Sequence, residues 1–166
     1  MRAVVAFPVL AEADARKIAA LRAEHDPNAA RIAPHVTLVF PTAEIAETTL
    51  VDRVEAAAKE TAAFPIILKR ILVHQEGDES YLYLVPEQGY DALTALHARL
   101  NPQNGGLAFT PHVTVARLAD RKQARTVATA LATKHFAVAG RIDALTVVEV
   151  PASGPVRTLG ARPLRG

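Results

Sequence analysis

His35 and His112 each stand directly after a proline and two residues before a threonine, in "PHVTL" (34–38) and "PHVTV" (111–115). Side chains alternate along a β-strand, so His35 and Thr37 leave one face together, as do His112 and Thr114. Val36 and Val113 leave the other face. Two imidazoles that titrate near neutrality can divide acid and base duties. A neutral ring takes the proton from an attacking hydroxyl or water, and an imidazolium supplies one to the departing oxygen. Threonine hydroxyls beside them donate hydrogen bonds to non-bridging phosphate oxygens, where charge gathers in the transition state. Such a set suits the opening of a cyclic phosphodiester, because attack and departure take place on opposite sides of phosphorus. Pro34 and Pro111 offer no backbone N–H, which suits a strand's first residue.

These groups act together only if the chain brings its two motifs face to face. His112 follows His35 by 77 residues, and the surroundings repeat at the same offset. The apolar run 3–10, "AVVAFPVL", shifts onto 80–87, "SYLYLVPE", and both read as strands. Residues 11–24 place Ala15, Ile18 and Leu21 on one helical face, and "QGYDALTALHARL" places Leu93, Leu96 and Leu100 likewise. Loops with breakers, "HDPNAA" and "NPQNGG", lead from each helix to its motif.

Downstream, residues 44–62 space Ile45, Leu50, Val54, Ala57 and Ala58 as a helix does. Residues 121–135 do the same with Ala124, Val127, Ala128 and Leu131, with Asp120 placed as a cap and Gln123 three residues on. The segments "FPIILKRILV" (64–73) and "RIDALTVVEV" (141–150) follow as strands, and "PVRTLGARPL" (155–164) adds an unmatched C-terminal strand. The expected fold is α+β: a duplicated strand–helix–strand–helix–strand unit. Its repeats, roughly 3–74 and 80–150, are each expected to form one lobe and to share one core in a single domain spanning 1–166.

Half of the 166 residues are hydrophobic, enough for one sizeable core. Zero cysteines exclude disulfides, thiolate zinc sites and cysteine nucleophiles, and agree with a reducing compartment. The opening "MRAVVAFPVLAEADARK" reads as a strand rather than a signal peptide, and no run is long enough to span a bilayer. A cytoplasmic protein without membrane association is expected. The net charge of +2 is unevenly spread: residues 1–83 carry 9 basic and 12 acidic side chains, residues 84–166 carry 10 and 5. That bias favours an anionic ligand on the side of the second half.

At the two His-x-Thr motifs the sequence resembles the 2H phosphoesterase superfamily, in particular its branch of 2′-5′ RNA ligases and RNA 2′,3′-cyclic phosphodiesterases. The family motif is His, any residue, Thr or Ser, then a hydrophobic residue. Here it reads "HVTL" at 35–38 and "HVTV" at 112–115. The resemblance covers nearly the whole chain. It implies a bilobal, pseudo-twofold fold with two mostly antiparallel sheets lining a positively charged central cleft and helices outside. It implies His35 and His112 as the acid/base pair, with Thr37 and Thr114 as phosphate ligands.

Family members often close the second motif with an arginine, and Arg117 stands there in "HVTVAR". Strict alternation puts Arg117 on the face opposite His112, so a phosphate-binding role requires a twist, a strand end or a long side chain that curls over. Phe40 holds the matching place in the first motif. Pro41 and Thr42 stand where some members have a glycine, as in a shorter branch.

The expected activity is therefore metal-independent opening of 2′,3′-cyclic phosphate ends of RNA or nucleotides, by a monomer that calls for no cofactor. RNA ligation or transesterification by the same residues is an alternative, and so is a non-catalytic nucleotide- or RNA-binding module. Among the aromatics, Tyr81, Tyr83 and Phe109 are candidates to stack a base, with Phe109 favoured because it precedes the second motif. His25, His74, His97 and His135 show no H-E-x-x-H or comparable spacing, and are expected to be packing or surface residues rather than metal ligands.

Overall fold

The computed structural model describes residues 1–104 and 108–166; three residues of the connector at 101–108 lie outside the described residues. In chain order the elements are β1 (Arg2–Ala6), β2 (Val9–Leu10), α1 (Glu12–His25), β3 (Val36–Thr42), α2 (Glu47–Glu60), β4 (Phe64–Glu76) and β5 (Glu79–Gln88). They continue with α3 (Tyr90–Leu100), a 3-10 turn (Pro102–Asn104), β6 (Val113–Leu118), α4 (Arg121–Thr133), β7 (Val138–Ile142), β8 (Ala144–Glu149) and β9 (Arg157–Pro163). The fold is α+β.

The helical faces read from spacing are the buried ones. Leu50, Val54, Ala57 and Ala58 of α2 pack inward, as do Leu93, Leu96 and Leu100 of α3. Asp120 caps α4 by accepting from the Lys122 N–H at 2.8 Å. Two strands expected to be continuous are broken. Pro8 cannot donate to a ladder, so 3–10 splits into β1 and β2, and β2 leaves to pair with β7. The run 141–150 likewise splits at Asp143 between β7 and β8.

All nine strands form one sheet in the order β2-β7-β4-β5-β6-β3-β1-β8-β9, antiparallel at every strand pair. Its two halves, β3-β1-β8-β9 and β6-β5-β4-β7-β2, are joined in the strand order through β3 and β6. The two sheets expected from the sequence are thus joined into one where Val36 pairs with Val113.

The lobes are not the repeats. β4, the last strand of the first repeat, pairs with β5 of the second, and β8 of the second repeat pairs with β1 of the first. The β4–β5 link explains this exchange. Gly77 takes φ 57° in a two-residue hairpin between Glu76 and Glu79, the positive value that tight hairpins require, so β4 folds straight back on β5. The helices cross over as well: α1 packs on β6 and β7, and α3 packs on β3. The main apolar cluster draws on strands and helices of both repeats.

Candidate active site

The two motif strands meet where Val36 pairs with Val113. Both valines are fully buried on the helix side. Extending that antiparallel register by one residue sets His35 across from Thr114, and Thr37 across from His112, on the opposite, open face. Four side chains from two repeats therefore share one patch around a local twofold axis. His35, Thr37 and Thr114 line a cavity of about 240 Å³.

Each imidazole is oriented the same way. His35 Nδ1 bonds the Ala33 carbonyl at 2.8 Å, and His112 Nδ1 bonds the Thr110 carbonyl at 2.7 Å. A carbonyl only accepts, so each Nδ1 carries the proton and each neutral ring keeps Nε2 as its basic nitrogen. Among the described residues neither Nε2 has a protein partner. The prolines contribute here: Pro34 and Pro111 hold the residues before them extended, which aims those carbonyls.

Burial holds both imidazoles below the ordinary value of 6.5. For His35 the Ala33 carbonyl opposes that effect, the charge on Arg22 adds to it, Asp26 opposes it and His112 adds to it. For His112 the Thr110 carbonyl opposes burial and His74 reinforces it.

A β-bulge recurs at matching places in both motif strands. Val5 pairs with Thr37 and Val4 with Val39, leaving Leu38 extra; Tyr83 pairs with Thr114 and Leu82 with Ala116, leaving Val115 extra. Each bulge shifts the alternation by one residue. Arg117 is thereby returned to the face of Thr114, which strict alternation from the sequence did not allow. There it pairs with Tyr81 in the ladder, lies 5.9 Å over the Tyr81 ring and forms a two-pronged ion pair with Glu79, at 2.9 and 2.7 Å.

The first bulge is clamped from the other repeat. The Leu38 carbonyl is bonded by His97 Nδ1 at 2.8 Å and Asn101 Nδ2 at 2.9 Å, both nearly buried at the end of α3. At the positions 77 residues before His97 and Asn101 stand Ala20 and Glu24, so α1 offers the second bulge no matching pair of donors. Phe109 stacks on His97 with centroids 3.8 Å apart and planes 4° apart, and packs on the core. The aromatic expected to stack a base thus lies against the clamp. The aromatic side chains beside the second motif are Tyr81 and Tyr83.

The two sides of the open face differ. Ala3, Val5 and Val148 form a small apolar floor next to His35, while the ladder places Tyr81, Tyr83 and His74 at the equivalent positions of the other half. Tyr83 stacks on His112 with centroids 3.7 Å apart, and His74 stacks on Tyr83 at 5.4 Å. Burial, with Glu76 and Tyr81 adding, pushes the Tyr83 hydroxyl up to about 12, so it stays protonated.

Three polar residues near His35 escaped sequence reasoning. Arg22 and Asp26 form a buried ion pair at 2.8 Å, and Arg22 Nη1 also donates to the Ile32 carbonyl at 2.8 Å. Arg31 sits in the loop before β3. One signal was present: Arg22 follows Ile18 by four residues on the inward face of α1 and precedes Asp26 by four. Among the described residues, no group of three or more His, Asp or Glu gathers as metal ligands, and no helix is long and apolar enough to cross a membrane.

Solved structures share this fold. E. coli LigT in apo form aligns over 100% of this chain and 99% of its own, at 22% identity and TM-score 0.61. TT0787 of Thermus thermophilus covers 100% of this chain and 99% of its own, at 18% identity and TM-score 0.67. Kluyveromyces marxianus Usb1 covers 98% and 97%, at 16% identity and TM-score 0.57. Among curated proteins no relative matches. The family model described as the 2'-5' RNA ligase superfamily matches residues 9–153, a span that holds both histidine motifs. With its paired motifs, its antiparallel sheet and that match, the chain belongs to the 2'-5' RNA ligase superfamily of phosphoesterases.

Proposed function

We propose that the protein opens 2′,3′-cyclic phosphate ends of RNA or nucleotides by two-histidine acid/base catalysis. The observation that carries this reading is the matched pair of imidazoles, each with Nδ1 spent on a backbone carbonyl and Nε2 left for substrate. One neutral imidazole takes a proton from water as the water oxygen bonds to phosphorus. The bond from phosphorus to one ribose oxygen breaks, and the other ring, as imidazolium, protonates that oxygen. The product is a nucleoside phosphomonoester, and the two rings have exchanged protonation states. Thr37 and Thr114 donate to the non-bridging oxygens.

This chemistry draws on side chains alone. Support for a nucleotide or RNA ligand comes from the family match and from relatives such as E. coli LigT, whose structures include one complexed with 3'-AMP. Incubation with 2′,3′-cyclic nucleotides and cyclic-ended oligonucleotides, followed by product separation, tests the reading. A phosphomonoester is expected. Product only when a 5′-hydroxyl partner is supplied would shift the assignment to ligation, and ligand binding without turnover would leave a binding module.

A further inference from the structure

Three guanidiniums flank the open face, Arg22 and Arg31 lining the cavity with His35 and Arg117 beside Tyr81, and two of them are neutralised. Arg22 gives Nε and Nη2 to the Asp26 carboxylate at 2.8 Å each. Arg117 gives Nε and Nη2 to Glu79 at 2.9 and 2.7 Å. Arg31 differs. Its Nε donates to the Gly154 carbonyl at 2.8 Å, its Nη2 to the Pro151 carbonyl at 2.9 Å, and its Nη1 lies 3.5 Å from Asn28 Oδ1. Among the described residues no carboxylate meets it.

Neutral acceptors fix the Arg31 side chain in place without cancelling its charge. One N–H on Nη1 and one on Nη2 remain without a protein partner among the described residues. Arg31 lines the same cavity as His35, Thr37 and Thr114. The charged side chains lining that cavity are Arg22, Asp26 and Arg31, so after the buried pair cancels, one positive charge is left.

The geometry points to Arg31 as the phosphate-binding cation of this site, in place of Arg117, which the family motif suggests. A guanidinium held before the substrate arrives loses little freedom on binding. Its remaining donors suit the charge-assisted contacts that phosphate oxygens accept. Arg117 would first have to give up Glu79. This inference rests on the cyclic phosphodiesterase reading only in taking phosphate as the ligand class.

The test is calorimetric binding of inorganic phosphate and of a nucleoside 2′-monophosphate to wild type, Arg31→Gln, Arg31→Lys and Arg117→Gln, with a thermal melt of each. Arg31→Gln should weaken both ligands about tenfold or more, the loss of one charge-assisted contact, while Arg31→Lys, which keeps the charge but not the pre-positioned donors, should lose less than Arg31→Gln. Arg117→Gln should lose less than about threefold, because Glu79 already holds that charge. Unchanged binding in Arg31→Gln would overturn the assignment, as would an equal or greater loss in Arg117→Gln. A loss in Arg31→Lys as large as in Arg31→Gln would also overturn it, since the loop staple rather than the charge would then matter. Turnover of a 2′,3′-cyclic nucleotide is measured on the same samples. Phosphate binding through Arg31 without turnover keeps this inference and removes the phosphodiesterase reading.

Discussion

Val36 faces Val113 at the residue pair where β3 meets β6 and the two halves of the sheet join. Because that pair lies at the centre of both motifs, each histidine is set beside the threonine of the other repeat. The site is therefore an interface between repeats, and the exchange of β4, β8, α1 and α3 between lobes holds that interface together.

The threonines should matter less than the histidines. Replacing Thr37 or Thr114 by Val keeps the strand-compatible shape and removes one hydroxyl donor to the phosphate. Each change should lower kcat roughly 10²-fold with a smaller change in KM, as expected of a contact that strengthens in the transition state. Steady-state kinetics on a 2′,3′-cyclic nucleotide would show this. A pure KM effect would mean that the hydroxyls bind the ground state only.

The pH profile follows from burial. Both imidazoles lie below 6.5, so in the free protein near neutrality the imidazolium is the scarce form. kcat/KM should peak on the acid side of 6.5 and fall as pH rises. A bound phosphate anion favours the imidazolium, so the kcat profile should sit at higher pH than that of kcat/KM. The two limbs give apparent values for the pair. Stability carries the same sign: with folded values depressed, the histidine contribution is whole above 6.5 and is lost as pH falls through them. An optimum of kcat/KM above 6.5 would contradict the burial effect.

Tyr83 covers His112. In Tyr83→Leu the ring loses that cover, and its pKa should rise toward 6.5 while that of His35 stays in place. Histidine NMR titrations of wild type and variant would report both rings. Equal movement of the two would show that the stack does not act on His112 alone.

The clamp on Leu38 predicts a split between stability and chemistry. Asn101→Ala removes one of two buried donors to that carbonyl and should cost about 1–3 kcal/mol in denaturant unfolding. His97→Leu removes the other and should also lower kcat, because His35 directly precedes β3. His97→Asn, whose amide nitrogen can stand where Nδ1 stood, should recover much of both losses. Equal damage from Leu and Asn at this position would mean that ring packing on Phe109, rather than the hydrogen bond, fixes the strand.

What could be read from the sequence was what depends on period and local chemistry. The 77-residue offset, the buried faces of α2 and α3, the Asp120 cap and the outward pairing of His with Thr all follow from spacing. The lobes could not be read this way, because strand exchange is decided by which strand a hairpin returns to. Strict alternation alone sets Arg117 on the far face, because a bulge has no signature in "HVTVAR", where Val115 and Ala116 are both buried. Phe109 was favoured for its place before the second motif, yet its ring found His97. Arg31 carries no motif at all; it stands out only once its acceptors are seen to be carbonyls.

The measurement that bears most directly on the paired histidines is a double-mutant cycle. Rates of 2′,3′-cyclic nucleotide opening are compared for wild type, His35→Ala, His112→Ala and the double variant, with folding checked by circular dichroism. If both rings serve one phosphorus atom, each single change should lower kcat by roughly 10³-fold or more, and the double variant should lose little beyond that. Losses that multiply in the double variant, or full activity in either single variant, would show that the two imidazoles do not act together.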